Sequence, residues 1–207
     1  MSGRFITLEG GEGAGKSTQA RLLADALCAR GLPVLRTREP GGAPGAERLR
    51  TLLLAGETDW SAPAETFLHF AARAEHIERT IRPALAAGMW VVCDRFADST
   101  LAYQGHGQGA DKALIASLTA LMNLTSDLTF VLDVSKQTAE SRLTMRGRDA
   151  DRYERLDPAF HNRVNTGFRA IAAANPARCA LIPADGPEAE IHTAIITTLA
   201  QRLGLPQ

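Results

Sequence analysis

The sequence predicts an α/β fold in which helices cover both faces of a parallel sheet, and three observations carry that prediction. Short β-prone runs alternate with longer amphipathic stretches, as in successive βα units. The β-prone runs are compact and apolar, as strands covered on both faces must be. A glycine-rich stretch, "GGEGAGKST" at 10–18, stands between the first apolar run and the first helical stretch.

Taken in order, the first strand is read at 4–9 (RFITLE), and the helix after it begins near Lys16. The second strand, 33–37 (PVLRT), is followed by helices starting near Gly45 and Pro63, the latter behind a capping segment from Ser61 to Glu65. The third strand, 90–94 (WVVCD), runs into a polar stretch whose Gly105, Gly107 and Gly109 read as a flexible loop before a helix near Asp111. The fourth, 128–133 (LTFVLD), leads to a helix near Lys136 that glycine and acids interrupt, and to another near Asp157 with Pro158 in its first turn. The fifth, 179–184 (CALIPA), precedes a last helix near Pro187. No repeat or low-complexity tract divides the chain, so residues 1–207 are expected to form one domain.

Composition narrows the function classes. Acidic and basic residues balance at 23 each, which leaves no basic field for nucleic acid. Cys28, Cys93 and Cys179 are far apart in apolar runs and read as reduced, buried thiols of a cytoplasmic protein. The N-terminal stretch has no long apolar run ending in a cleavage site, and no run approaches a membrane span, so neither signal peptide nor membrane partner is expected.

In an open parallel sheet, ligands sit at the carboxyl ends of the strands, so the residues just after each strand carry the argument. After the first, Gly10, Gly15, Lys16 and Ser17 match the pattern of a phosphate-binding loop. Glycines turn successive N–H groups inward and the following helix N-terminus adds positive potential. The whole stretch, Gly10, Gly11, Glu12, Gly13, Ala14, Gly15, Lys16, Ser17 and Thr18, is thus a nucleoside triphosphate cradle. Lys16 is expected on the outer phosphates and the Ser17 hydroxyl on Mg²⁺. A guanine-reading N-K-x-D segment is missing, and motors and pumps are ordinarily larger. The remaining strand ends instead offer arginines, which suggest a second anionic substrate.

After the second strand, "TREPGG" sets Arg38 and Glu39 at a turn, and Arg50 follows on a helix. His69 and Arg73 stand at i, i+4 on one helix face, with Phe67, Phe70 and Ile77 expected to pack inward. Asp94 ends a buried strand, where a carboxylate needs a partner, and suits Mg²⁺ through water. Arg95 follows as a phosphate clamp, and Ser99, Thr100, Tyr103 and Gln104 supply groups for a base or sugar. Arg142, Arg146, Arg148 and Arg152 lie on a basic stretch read as a mobile lid at about 142–153.

Five segments, "EGGEGAGKST", "TREPGG", "FAAR", "DRFADSTLAYQG" and "LDV" with the arginine-rich stretch behind it, together resemble the thymidylate kinases over nearly the whole chain. The resemblance implies a three-layer P-loop nucleoside monophosphate kinase fold with a five-stranded parallel sheet, and transfer of the ATP γ-phosphoryl group to dTMP. It further implies Mg²⁺, an arginine-bearing lid and a homodimer. It puts Arg95 and Arg50 on the acceptor phosphate, Arg73 on the thymine edge, and Ser99, Thr100 and Gln104 beside base and sugar. Glu39 falls near the acceptor phosphate and the metal, and Glu12 toward the acceptor's sugar. The position expected to stack on thymine is His69, with Phe70 beside it. The loop has no arginine at 11–14, so the transition-state arginine is expected from the lid: Arg146, Arg148 or Arg152, with Arg142 on the ATP side. The alternative reading is another small P-loop kinase acting on a different nucleotide or a small acid.

Overall fold

In the computed structural model, which describes residues 3–56, 58–145, 147 and 151–205, five parallel strands form one sheet in the order β2-β3-β1-β4-β5. They are β1 (Phe5–Glu9), β2 (Val34–Arg38), β3 (Trp90–Asp94), β4 (Leu128–Asp133) and β5 (Cys179–Pro183). β1 lies at the centre, with Leu8 opposite Asp94 of β3 and Phe130 of β4, so its carboxyl end opens between two neighbours.

Side chains along each strand alternate between the two faces. Ile6, Leu8, Val92, Phe130 and Leu132 join one core with Leu23 and Leu27 of α1 (Lys16–Cys28) and Ile191, Ile195 and Leu199 of α9 (Glu188–Leu203). On the opposite face, Phe5, Val91 and Cys93 pack with Ile77, Ile81 and Phe96, while Val131 packs with Phe160, Val164 and Phe168 of α8 (Pro158–Ala174). Between these lie α2 (Pro44–Leu54), α3 (Ala62–His76), a π-helical turn Ile77–Ile81, and α4 (Arg82–Ala86). The expected helix starts agree with those observed. Ser61 accepts from the Ala64 amide and Asp157 from the Phe160 amide, each as an N-cap.

The stretch after β3 differs from the expected flexible loop. It is a short helix, α5 (Ala97–Thr100), which continues as a π-helical segment Leu101–Gly107 before α6 (Lys112–Leu121). Gly105 and Gly107 serve close packing there: a Cβ on Gly107 would stand 2.5 Å from the Phe160 ring and 3.0 Å from Val164. Arg178, just before β5, fixes the start of this segment by donating to both oxygens of Asp98, at 2.7 and 3.0 Å. α7 (Lys136–Met145) follows β4. Two burial expectations are corrected as well. Cys28 is exposed at the end of α1, and Phe67 is exposed on the outer face of α3, because neither position lies on its helix's inward stripe.

Candidate active site

The strand ends meet in a cleft of about 450 Å³, within the range of small-ligand sites. Its wall draws on the turn after β1 (Glu12 to Thr18), the turn after β2 (Arg38 to Pro40), the stretch after β3 (Asp94 to Gln104), α3, and Asp151 and Tyr153 behind α7.

The loop after β1 can only be glycine-rich. Gly13 has φ 71°, and a Cβ there would stand 2.6 Å from the Ala139 carbonyl of α7. α1 then starts at Gly15 with no side-chain cap, so its first amides are left for an anion. Lys16, 6% exposed, donates to the Gly11 carbonyl at 2.6 Å. Burial, and then the nearby Arg95 charge, lowers its amine to about 8. On the β4–β5 side, Arg142 of α7 donates to the Gly13 carbonyl at 3.4 Å and to that of Gly186, beyond β5, at 3.1 Å.

Arg95 holds a left-handed backbone (φ 70°), rare for a side chain of its size. The turn is fixed by its amide donating to Leu8 and by the Phe96 amide donating to Glu9 at 2.8 Å. This conformation swings the guanidinium over the phosphate loop. It donates to Glu12 at 2.6 Å, to the Gly10 carbonyl at 3.2 Å, to Ser99 at 3.3 Å and to the Tyr103 hydroxyl at 3.1 Å. Burial opposes the charge, yet Glu12 and the further acids around it hold the guanidinium above its ordinary value. Tyr103 also donates to Glu12 at 2.7 Å, so the carboxylate of the loop binds both. Ser99 donates in turn to Glu9, whose carboxyl is pushed up to about 8, by burial first and then by Asp98.

Arg73 lies deeper, 2% exposed, with its guanidinium over the Phe70 and Phe96 rings. Its Nε donates to Glu39 at 2.8 Å, and its Nη2 to the Phe96 carbonyl and to Thr100 at 3.0 Å each. Its Nη1 is buried with no acceptor among the described residues. Glu39 also meets His76, at 3.1 Å. Arg50 donates to the Pro40 carbonyl at 2.7 Å on the cleft's rim, and burial, then Arg38, lowers its pKa.

A polar cluster forms the opposite wall. Tyr153 donates to Glu65 at 2.7 Å and meets His69 at 2.8 Å; Gln104 donates to Glu65 at 2.9 Å and to Tyr153 at 3.3 Å. Arg152 is paired with Glu65. Burial, and then Arg73, lowers His69 to about 3, so its ring is neutral near pH 7. At the near end, Ser17 donates to Asp94 Oδ2 at 2.5 Å, while Asp94 Oδ1 is buried without a donor among the described residues.

The cleft therefore collects Glu12, Gly13, Gly15, Lys16, Ser17, Thr18, Glu39, Arg50, His69, Arg73, Asp94, Arg95, Ser99, Thr100, Tyr103 and Gln104. Phe70 is set apart from them: one residue beyond His69 on a helix is about 100° around, and Phe70 packs with Ala110 and Ile115 beneath Arg73. Arg152 faces Glu65 rather than the phosphate loop. Arg146 and Arg148 lie outside the described residues. Glu9, Glu65, His76 and Tyr153 were missed. Glu9 had the same signal as Asp94, a carboxylate ending a buried strand, and His76 stands at i+3 from Arg73 on the same helix face. Tyr153, within a charged stretch, had no signal.

Comparison with known proteins agrees on one family. The thymidylate kinase family profile matches residues 8–195. The thymidylate kinase of Rhizorhabdus wittichii is 53% identical over 207 residues, covering 98% of this chain and all of that one. That of Gluconobacter oxydans is 51% identical, covering 97% and 96%. The crystal structure of the thymidylate kinase from Ehrlichia chaffeensis superposes with a TM-score of 0.79 at 35% identity, over 96% of this chain and all of that one.

Proposed function

The chain belongs to the thymidylate kinase family, and from that premise we infer that it transfers the γ-phosphoryl group of ATP to dTMP, giving ADP and dTDP. One observation within the chain supports this most directly: a half-buried arginine, Arg95, sits against the rim of the triphosphate loop, where a second phosphate can be brought up in line with the first.

The acceptor phosphate is a monoester with a second pKa of about 6, so it arrives ionised and needs no strong base. The chain's task is to bring two polyanions together and neutralise the charge that moves. Lys16 and the first amides of α1 take the outer phosphates of ATP, and Arg142 reaches the loop from the β4–β5 side. Arg95 and Arg50 take the dTMP phosphate. Displacing Arg95 from Glu12 is disfavoured, so the carboxylate keeps the guanidinium aimed while Tyr103 braces both. Arg73 Nη1, a buried donor without an acceptor among the described residues, suits a keto oxygen of thymine, and Thr100, Ser99 and Gln104 stand alongside. His69 is the ring in position to lie against the base, with Tyr153 behind it. An acceptor oxygen bonds to the γ-phosphorus as the bond to the β–γ bridging oxygen breaks.

Ser17 and Asp94 fit a hard divalent cation, since Asp94 Oδ1 is a buried carboxylate oxygen with no donor among the described residues. Ser17, and Asp94 through water, would hold Mg²⁺, which would supply further neutralisation of the phosphates. The stretch 142–153 is assigned to a lid that delivers the transition-state arginine, from Arg146, Arg148 or Arg152. For Arg152 that role requires leaving Glu65. A homodimer in the cytoplasm completes the proposal, on the family resemblance and the widely spaced cysteines; sedimentation at twice the chain mass is the expected result. Among the described residues no helix is long and apolar enough to cross a membrane.

The test is an acceptor panel of dTMP, dUMP, UMP, CMP and AMP with ATP and Mg²⁺. ADP formation should be fastest with dTMP, and no dTMP-dependent ADP would reject the assignment.

A further inference from the structure

The "TREPGG" turn converges on a histidine that does not line the cleft. His76, fully buried at the end of α3, lies between Thr37, whose Oγ1 is 2.7 Å from Nε2, and Glu39, whose Oε1 is 3.1 Å from Nδ1. A neutral ring satisfies both when Nδ1–H donates to the carboxylate and Nε2 accepts from the threonine. Gly42 makes the room: a Cβ there would stand 2.3 Å from Nε2 and 2.5 Å from Thr37 Oγ1. Thr80, one helical turn past His76, donates to the Gly42 carbonyl at 2.7 Å and holds the turn down on it. Thr37, Glu39 and Gly42 thus share one neighbour.

The next link is Arg73. Glu39 spends Oε1 on His76 and Oε2 on Arg73 Nε. With Nη2 fixed by Phe96 and Thr100, the guanidinium has one orientation, and Nη1 remains its single donor without an acceptor among the described residues. A buried polar side chain held by a completed network keeps its direction, and a half-completed one does not.

We propose that His76 is a positioning residue for base selection: acting through Glu39, it fixes Arg73 so that Nη1 meets a keto oxygen and mispairs with an amino group. This rests on the assignment of Arg73 to the acceptor base. Losing the His76 hydrogen bond frees Glu39 to swing, and Arg73 with it, while the triphosphate loop and Arg95 keep their own partners.

Steady-state kinetics with dTMP and dCMP, on the wild type, His76→Leu, His76→Asn and Thr37→Val, test it, with thermal unfolding as the control. His76→Leu should raise the dTMP KM about tenfold and narrow the dTMP:dCMP preference, with kcat and the ATP KM within about twofold. His76→Asn, which keeps a donor near the Nδ1 position, should recover most of the loss, and Thr37→Val should shift the same quantities less. Unchanged dTMP KM and preference in His76→Leu would overturn the proposal. So would equal losses in kcat and both KM values, the mark of a merely structural role. If His76→Leu does not fold, Thr37→Val decides by the same readouts. A wild type inactive on dTMP strikes the functional reading itself; an active wild type with insensitive variants strikes only the role of His76.

Discussion

Arg95 meets Glu12, Tyr103, Ser99 and the Gly10 carbonyl at once, so an arriving phosphate finds a guanidinium whose direction is already set. Arg95→Ala should therefore raise the dTMP KM by about 30-fold while leaving the ATP KM nearly unchanged, because the dTMP phosphate loses a charge-assisted hydrogen bond of about 2 kcal/mol. Unaltered dTMP saturation would remove Arg95 from the acceptor clamp. Lys16 makes a prediction in pH. Its amine titrates near 8 in the folded protein, against 10.5 for an unburied lysine. The folded state releases the proton first, so the buried charge weighs against folding below about 8, and that burden fades as pH climbs toward the unfolded value. For ATP the sign reverses, since the triphosphate wants the ammonium. The value of kcat/KM for ATP should fall as pH rises above about 8, and a flat alkaline profile would count against that role. The first sphere of these residues was legible because the phosphate loop and the strand-end arginines follow from local pattern. Their supports were not. Nothing in the neighbourhood of Tyr153 or Glu65 announces that the two will meet across 88 positions of chain.

At the scale of elements, the sequence misleads where glycine carries two meanings. Gly105 and Gly107 read as freedom, and the structure uses them as absence of bulk, Gly107 where α8 crosses the π-helical segment and Gly105 where Ile115 of α6 packs on it. Only the partner's shape distinguishes the two, and that shape is non-local. Gly107→Ala forces a methyl into the Phe160 ring, so a loss of about 1–3 kcal/mol is expected, seen as a lowered Tm. The same segment carries Tyr103 and Gln104, so the dTMP KM should rise as well. A variant as stable as the wild type would show that α8 can yield. α3 was half legible in the same sense. The i, i+4 spacing set His69 and Arg73 on one face, but the inward stripe was misjudged: it takes Phe70 and leaves Phe67 in solvent.

Across the whole molecule, the strand order was not written in any local run, although the alternation of strand and helix gave the parallel sheet. β2 and β3 lie to one side of the central β1, and β4 and β5 to the other. Apart from Glu12 behind β1, the residues assigned to dTMP, from Glu39 to Gln104, follow β2 and β3; Arg142 and Gly186 follow β4 and β5. Arg73→Ala should then weaken dTMP use with little effect on the ATP KM, and Arg142→Ala should do the reverse. Kinetics that coupled the two losses would contradict this division.

The central placement of β1 also bears on descent. Because one strand end faces both wings, a lineage can rewrite the acceptor-facing side chains of α2, α3 and the stretch from Ser99 to Gln104, and so acquire a new acceptor, while β3 and its Asp94 keep their part in holding the triphosphate.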